Sequence, residues 1–356
     1  MEHILPTGQF HKVKLAFVNV DNILGGCVAL HLAERLEKEC KDVELVCMGK
    51  KIDHLDRLKK MKNVKLVQIN YEDEKNLCKA MEGIRCAIIV PEWREERAKH
   101  GKSLVRAMEK EKVRGVLMVS VEGSEAEGLR ELNSFHEIEH SIQNTHWDHC
   151  YIILRKSILN QCFLLWGPVV KDQGEFPITL QKDSQMAPLD VRDLMSSIET
   201  IVTSYCHRQH GSKGAEDTDA TAPFGEMRNK IYTLTGPAKI TTEGFVYELN
   251  EATGQNVQFK QVSHDELRRY LESLKNRGWP QEDEVDAELI DALRYEYAPN
   301  DSTIRLLLDE LELINRGEAS FVSGDLEKIT GHKGKTPRDF FKKERDTFKS
   351  SFRREI

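Results

Sequence analysis

The sequence predicts an α/β fold: a parallel sheet flanked by helices, with a smaller α/β part at the C-terminal end. Three observations predict it. The stretch VKLAFVNVDNILGGCVALHLAE, from Val13 to Glu34, reads as an apolar strand, a tight turn and an amphipathic helix. Short apolar runs then alternate with helical stretches, the pattern of βαβ units. Each run is separated from the next by a helix-length segment, so the strands join by crossovers and lie parallel.

Taken in order, Val43 to Gly49 (VELVCMG) is the second strand and Asp53 to Met61 a short basic helix. Asn63 to Asn70 is the third strand, and Glu72 to Glu82 a helix. Cys86 to Glu92 is the fourth strand, and Arg94 to Lys110 a helix rich in charge. Val113 to Ser120 is the fifth strand. The boundaries read as a sheet domain over 1–204, a polar mobile loop over 205–229, and a smaller α/β part over 230–356 that completes a cleft. Gly278 to Asp286 reads as a second loop. Pro337 to Ile356 reads as one helix with Phe341, Phe348 and Phe352 near one face.

Composition narrows the function. The chain has 356 residues and a net charge of -7, which argues against nucleic acid as the main partner. No run approaches the ~20 apolar residues of a membrane span. No secretory signal is recognisable, which predicts a cytoplasmic place. The eight cysteines show no zinc-type spacing. Cys47 and Cys86 fall in strand patterns and read as core thiols. Cys40 and Cys78 read as exposed, and exposed thiols cross-link neighbours in an oxidising compartment. Cys27 sits in the first turn of a helix, where the dipole favours thiolate, although packing also accounts for it.

The turn after the first strand is the feature on which function depends. In a Rossmann-type unit its backbone N–H groups, with the helix N-terminus, hold a pyrophosphate. Glycines are needed there because a side chain would sit where the phosphate goes. Here the turn is Asn19-Val20-Asp21-Asn22, followed by Gly25 and Gly26. Asn tolerates the left-handed conformation, so the turn keeps its shape. Its side chains crowd the phosphate, and Asp21 adds negative charge. At the end of the second strand, where an acid selects NAD and a base NADP, stand Met48, Gly49, Lys50 and Lys51. The lysines are placed to meet a 2′-phosphate or to form a solvated surface turn.

Several later segments carry a resemblance. Glu139, Tyr151, Arg155 and Asn160 lie in the stretch that begins at Leu132. PLDVRDL (Pro188 to Leu194) holds Asp190 and Asp193. YTLTGP (Tyr232 to Pro237) and TGHKGKTPRDF (Thr330 to Phe340) follow. In this order they resemble the NmrA-like atypical short-chain dehydrogenase family over nearly the whole chain. That resemblance implies a G-x-x-G-x-x-G turn, with Asn19 and Asn22 at its first two glycines and Gly25 at the third. It further implies that Gly25, Gly26, Lys50 and Ser120 line any cofactor site. More distantly the chain resembles the proteins of fungal vacuolar crystals, which would imply a vacuolar place.

Working short-chain dehydrogenases use a Tyr-x-x-x-Lys helix after the fifth strand, where the tyrosine is the acid/base. Tyr71 and Lys75 have that spacing but follow the third strand, which marks it as coincidence. In the expected place stands Ser134 to Glu139, with Phe135 where some relatives carry lysine. The same helix holds His136-Glu137-Ile138-Glu139-His140, an H-E-x-x-H match with His146 and His149 downstream as third ligands. Its place in the α/β pattern makes a polar helix face the plainer reading, with no metal. Three readings follow. The leading one is a protein that has lost oxidoreductase chemistry, needs no cofactor and acts by self-association as an oligomer or larger assembly. The alternative is an NADP-dependent oxidoreductase or NAD(P)H redox sensor. The most distant is a zinc hydrolase through His136, Glu137 and His140.

Overall fold

The computed structural model describes residues 12–145, 148–211, 223–276 and 298–349. The chain runs β1 (Val13–Val18), α1 (Ile23–Glu39), β2 (Val43–Gly49), α2 (Asp56–Lys60), β3 (Val64–Gln68), α3 (Glu74–Met81), β4 (Cys86–Ile89), α4 (Arg97–Lys110), β5 (Gly115–Val121), α5 (Arg130–Gln143) and β6 (Cys150–Lys156). A 3-10 turn leads into α6 (Gly167–Gln173), β7 (Glu175–Ile178), β8 (Gln185–Met186) and α7 (Val191–Gly211). Then come β9 (Lys230–Leu234), β10 (Ile240–Thr241), α8 (Thr242–Thr253), β11 (Gln258–Gln261) and α9 (His264–Leu274). The last elements are α10 (Asp301–Asn315), α11 (Asp325–Thr330), α12 (Pro337–Lys343) and α13 (Arg345–Phe348).

Among the described residues the main sheet has the order β3-β2-β1-β4-β5-β6-β9, with every pair parallel. The order reverses between β1 and β4, and the crevice above their carboxyl ends is where such sheets bind ligands. The inner strands are buried on both faces, as parallel strands covered by helices must be, while the edge strands β3 and β9 are partly exposed. β5 is buried along its whole length, and β2 at all but Glu44. Helix α1 packs on α7, while α3, α4 and α5 pack in series. This is the predicted Rossmann-type α/β architecture.

The family-like segments meet in space. Asp193, fully buried in α7, accepts hydrogen bonds from the Lys335 backbone N–H at 2.7 Å and from its ammonium at 3.1 Å. That joins α7 to the turn before α12. Thr336 caps α12 with a reciprocal Asp339 bond, and Phe340 and Phe341 enter an aromatic core with Phe245 and Phe348.

Three sequence expectations need correction. The polar loop does not begin at 205: α7 continues through Gly211, with Tyr205 and Cys206 buried in it. The tail is two short helices broken at Glu344 rather than one; Phe341 and Phe348 are buried, and Phe352 lies outside the described residues. Cys40 is buried, because it ends α1 against α7, and so is not an exposed cross-linking thiol. Cys27 is a packing residue as well, since burial pushes its thiol up to about 12. The Gly278 to Asp286 loop falls outside the described residues. No helix among the described residues is long and apolar enough to cross a membrane.

Candidate functional site

The turn after β1 runs from Asn19 to Asn22 without glycines and leads into α1. Asn19 takes the left-handed conformation, φ 75°, as its residue type allows. Its backbone N–H donates to the Met48 carbonyl at 2.7 Å, and its amide donates to the Val90 carbonyl at 2.8 Å. One residue thus ties together the ends of β1, β2 and β4. Asn22 behaves differently: at φ -117° it is extended and forms the N-cap of α1. Its side-chain oxygen accepts the Gly25 N–H at 2.7 Å. Gly25 has a stringent role. A Cβ there would stand 2.0 Å from the Asn19 carbonyl oxygen, so only glycine lets the helix approach the strand end this closely.

Above this turn lies a cavity of about 160 Å³ walled by Asn19, Asp21, Asn22, Lys50, Glu92 and Asn300, among others. Asp21 reaches across from β1 to β2. Its Oδ2 accepts the backbone N–H groups of Lys50 at 2.8 Å and Lys51 at 2.9 Å. Its Oδ1 is buried over Gly49 with no hydrogen-bond partner in the protein, and burial pushes the carboxyl up. The Lys50 ammonium turns inward onto Glu92 at 2.9 Å and lies 5.1 Å from the centre of the Tyr71 ring. Glu92 also meets His100 Nδ1 at 2.5 Å, and His100 stacks on Tyr71. Burial pushes the Glu92 carboxyl up, but its bonds to His100 and Lys50 outweigh this and hold it below its ordinary value.

Further along the cleft, at the ends of β5 and β6, the space is filled. Helix α10 lies across it. Lys156 at the end of β6 pairs with Glu310 of α10 at 2.6 Å, and both side chains are buried. Beside them Glu122 is pushed up to about 7, first by burial and then by the Glu310 charge, and its Oε1 has no partner in the protein. Leu313 packs against Gly123, and a cavity of only about 10 Å³ remains.

The sequence-predicted residues divide accordingly. Asn19, Asn22 and Lys50 wall the cavity; Gly25 and Gly26 lie buried behind it in the first turn of α1. Ser120 lies on the other side of β5, where its hydroxyl donates to Glu139 of α5. Glu139 is fully buried and receives Arg155 through Nε at 3.0 Å and Nη2 at 2.6 Å. The family-like Glu139 and Arg155 therefore form one paired unit.

Among the described residues His136, Glu137 and His140 do not fall in one group with metal-ligand spacing. The rings of His136 and His140 are 6.4 Å apart between centres, and Glu137 is exposed in a pair with Lys102. Among the described residues the group with metal-ligand spacing is Glu125, His136 and Glu139. Arg155 already pairs with both of its carboxylates, at 2.9 Å from Glu125 and 2.6 Å from Glu139. His146 lies outside the described residues. Tyr71 and Lys75 do not form a catalytic pair either: Tyr71 is buried under the cavity, and Lys75 is exposed on α3.

Sequence reasoning missed Glu92, Glu122, Lys156 and α10. The one signal present was Gly49, a glycine where an acid is usual. Its missing side chain leaves the room that Asp21 fills, since a Cβ there would lie 2.6 Å from Asp21 Oδ1.

Residues 25–186 match a family model described as NAD(P)H-binding. The match begins at Gly25 and leaves out the turn from Asn19 to Leu24. No curated protein sequence matches the chain significantly. Solved structures share its fold. An NADPH-dependent quinone oxidoreductase from Escherichia coli, complexed with NADPH, is 17% identical with a TM-score of 0.68, over 92% of this chain and 98% of that one. The triphenylmethane reductase of Citrobacter sp., complexed with NADP(H), is 17% identical with a TM-score of 0.66, over 93% and 99%. A nucleoside-diphosphate-sugar epimerase from Staphylococcus aureus is 12% identical with a TM-score of 0.67, over 93% and 99%. The chain therefore has the Rossmann-type fold seen in NAD(P)-dependent reductases.

Proposed function

We propose that the protein binds NAD(P)H in the crevice between β1, β2 and β4 and acts as a sensor of it rather than as a reductase. The observation that carries this is the position of the Asn19–Asn22 cavity. It sits at the reversal of strand order, against the N-terminus of α1, in a chain whose residues 25–186 match an NAD(P)H-binding model. The residues fit the nucleotide in part. The backbone N–H groups at the start of the 17-residue helix α1 face the pyrophosphate position, where the helix dipole favours an anion. One of them, Gly25 N–H, is occupied by Asn22, so binding displaces that cap. When bound, the cofactor would supply hydride chemistry. The chain's own residues at that end instead exclude a substrate, because Lys156 is held by Glu310 and α10 fills the cleft.

The test is a fluorescence titration of the full chain with NADH and NADPH, followed by oxidation assays with quinones and triphenylmethane dyes. Saturable binding without turnover supports the sensor. Binding with steady turnover replaces it with a reductase, and no binding of either nucleotide ends the proposal.

A further inference from the structure

We propose that Asp21 chooses the nucleotide: its carboxylate receives the hydroxyls of an adenosine ribose and selects a free 2′-hydroxyl, as in NADH, over a 2′-phosphate. This rests on the NAD(P)H-binding reading above and goes beyond it to the ligand's identity.

Nucleotide-binding sheets of this order place a ribose beside the end of β2, where an acid accepts its hydroxyl protons. In this chain β2 ends in Met48 and Gly49, and the acid is missing from the strand. The structure supplies a carboxylate at the same place from a different strand. Asp21, on the β1 turn, is laid over Gly49 and fixed by two backbone N–H groups, of Lys50 and Lys51. Gly49 and Asp21 work as a unit, because any side chain at 49 would expel the carboxylate.

Two features point to a hydroxylated, unphosphorylated ligand. Asp21 Oδ1 is a buried acceptor with no partner in the protein, which makes a hydroxyl donor favourable there. A small rotation into the cavity lets a ribose hydroxyl satisfy it. Lys50, Lys51 and Arg94 line the same cavity, but at the Asp21 corner the local charge opposes a 2′-phosphate. Glu92 is a second carboxylate in the same wall, and it holds the Lys50 ammonium that would otherwise meet the phosphate. The cavity volume, about 160 Å³, is below the roughly 300–1,000 Å³ of clefts that hold drug-sized ligands. It suits the sugar end of a dinucleotide, with the rest lying along the crevice.

The experiment compares NADH and NADPH binding to the full chain by calorimetry, for the wild type, Asp21→Ala, Asp21→Asn and the double variant Asp21→Ala with Gly49→Asp. The wild type should favour NADH by about tenfold or more, since a 2′-phosphate would be set against the Asp21 carboxylate. Asp21→Ala should abolish that preference, and the double variant, which returns a carboxylate from β2, should restore it. Asp21→Asn keeps the shape and serves if the alanine variant unfolds by circular dichroism. Equal or tighter NADPH binding by the wild type, or an unchanged ratio in the Asp21 variants, overturns the assignment and leaves NAD(P)H binding standing. Binding of neither dinucleotide overturns both.

Discussion

The Lys156 ammonium lies 2.6 Å from the Glu310 carboxylate, and this buried pair joins the end of β6 to α10. It fills the cleft beside the ends of β5 and β6. Removing one partner leaves an uncompensated buried charge, which typically costs about 3–5 kcal/mol. Glu310→Ala should therefore lower stability by that order in urea unfolding. Lys156→Met with Glu310→Leu, which removes both charges, should be far milder. A loss below about 1 kcal/mol for Glu310→Ala would mean that water, or the neighbouring Glu122 carboxylate, compensates Lys156.

Glu122, beside that pair, gives a pH dependence with a definite sign. Its ordinary value is 4.5, and the fold raises it to about 7, first by burial. Between these values the folded state holds a proton that the unfolded state has lost. Stability therefore falls as pH rises through this window, and above the upper value the full penalty is present. The shift corresponds to on the order of 3 kcal/mol. Glu122→Gln should be more stable than the wild type at about pH 8 and nearly equal to it at about pH 4.5. Parallel unfolding curves for the two proteins across this range would show that Glu122 ionises freely.

Asn22 tests how far the turn has closed against a pyrophosphate. Its side chain occupies the Gly25 N–H at the start of α1. Asn22→Gly frees that donor, and as an N-cap glycine costs only a few tenths of a kcal/mol. Dinucleotide binding should strengthen several-fold with little change in melting temperature. Weaker binding would mean that Asn22 contacts the ligand and does not compete with it.

Gly25→Ala should be severe, because its Cβ would lie 2.0 Å from the Asn19 carbonyl oxygen. A loss above about 2 kcal/mol, or insoluble protein, is expected from such overpacking. Asn19→Gly should stay within about 1 kcal/mol of the wild type. Glycine relieves the left-handed backbone but gives up the bond to the Val90 carbonyl. A soluble, unperturbed Gly25→Ala protein would refute the close approach of α1.

The sheet was legible in the sequence because each strand is a bounded apolar run, as in VELVCMG, which is β2 to the residue. Gly25 and the left-handed Asn19 were legible because few residue types meet those backbone demands. Asn22 was less so, since the same residue type serves equally well as an extended helix cap. The reach of Asp21 onto β2 was hidden: it depends on two strands lying side by side, with the bonded partners 29 residues apart in sequence. Lys156 and Glu310 are 154 residues apart, and nothing local marks either as buried. Side chains that act across the fold leave little local pattern, so sequence showed the frame of the site better than its charge pairs.

Cys40 and Cys206 carry the last prediction. Both are buried where α1 meets α7, and their thiols share a hydrogen bond. That bond holds the Cys40 thiol below its ordinary value, while the same contact and burial push Cys206 up. If peroxide reaches this buried pair, Cys40 is expected to react first and Cys206 to resolve it. With hydrogen peroxide, the Cys40 thiolate takes oxygen to become a sulfenic acid. Cys206 then attacks that sulfur, forming the disulfide and releasing water, so two thiols and one peroxide give one disulfide and two waters. Peptide mapping after mild peroxide should find a Cys40–Cys206 bridge within the chain, and Cys206→Ser should leave Cys40 as sulfenic acid trapped by dimedone. Cross-links between chains through half-exposed Cys78, with Cys40 and Cys206 still reduced, would show instead that packing shields the pair and that surface thiols govern the protein's response to oxidation.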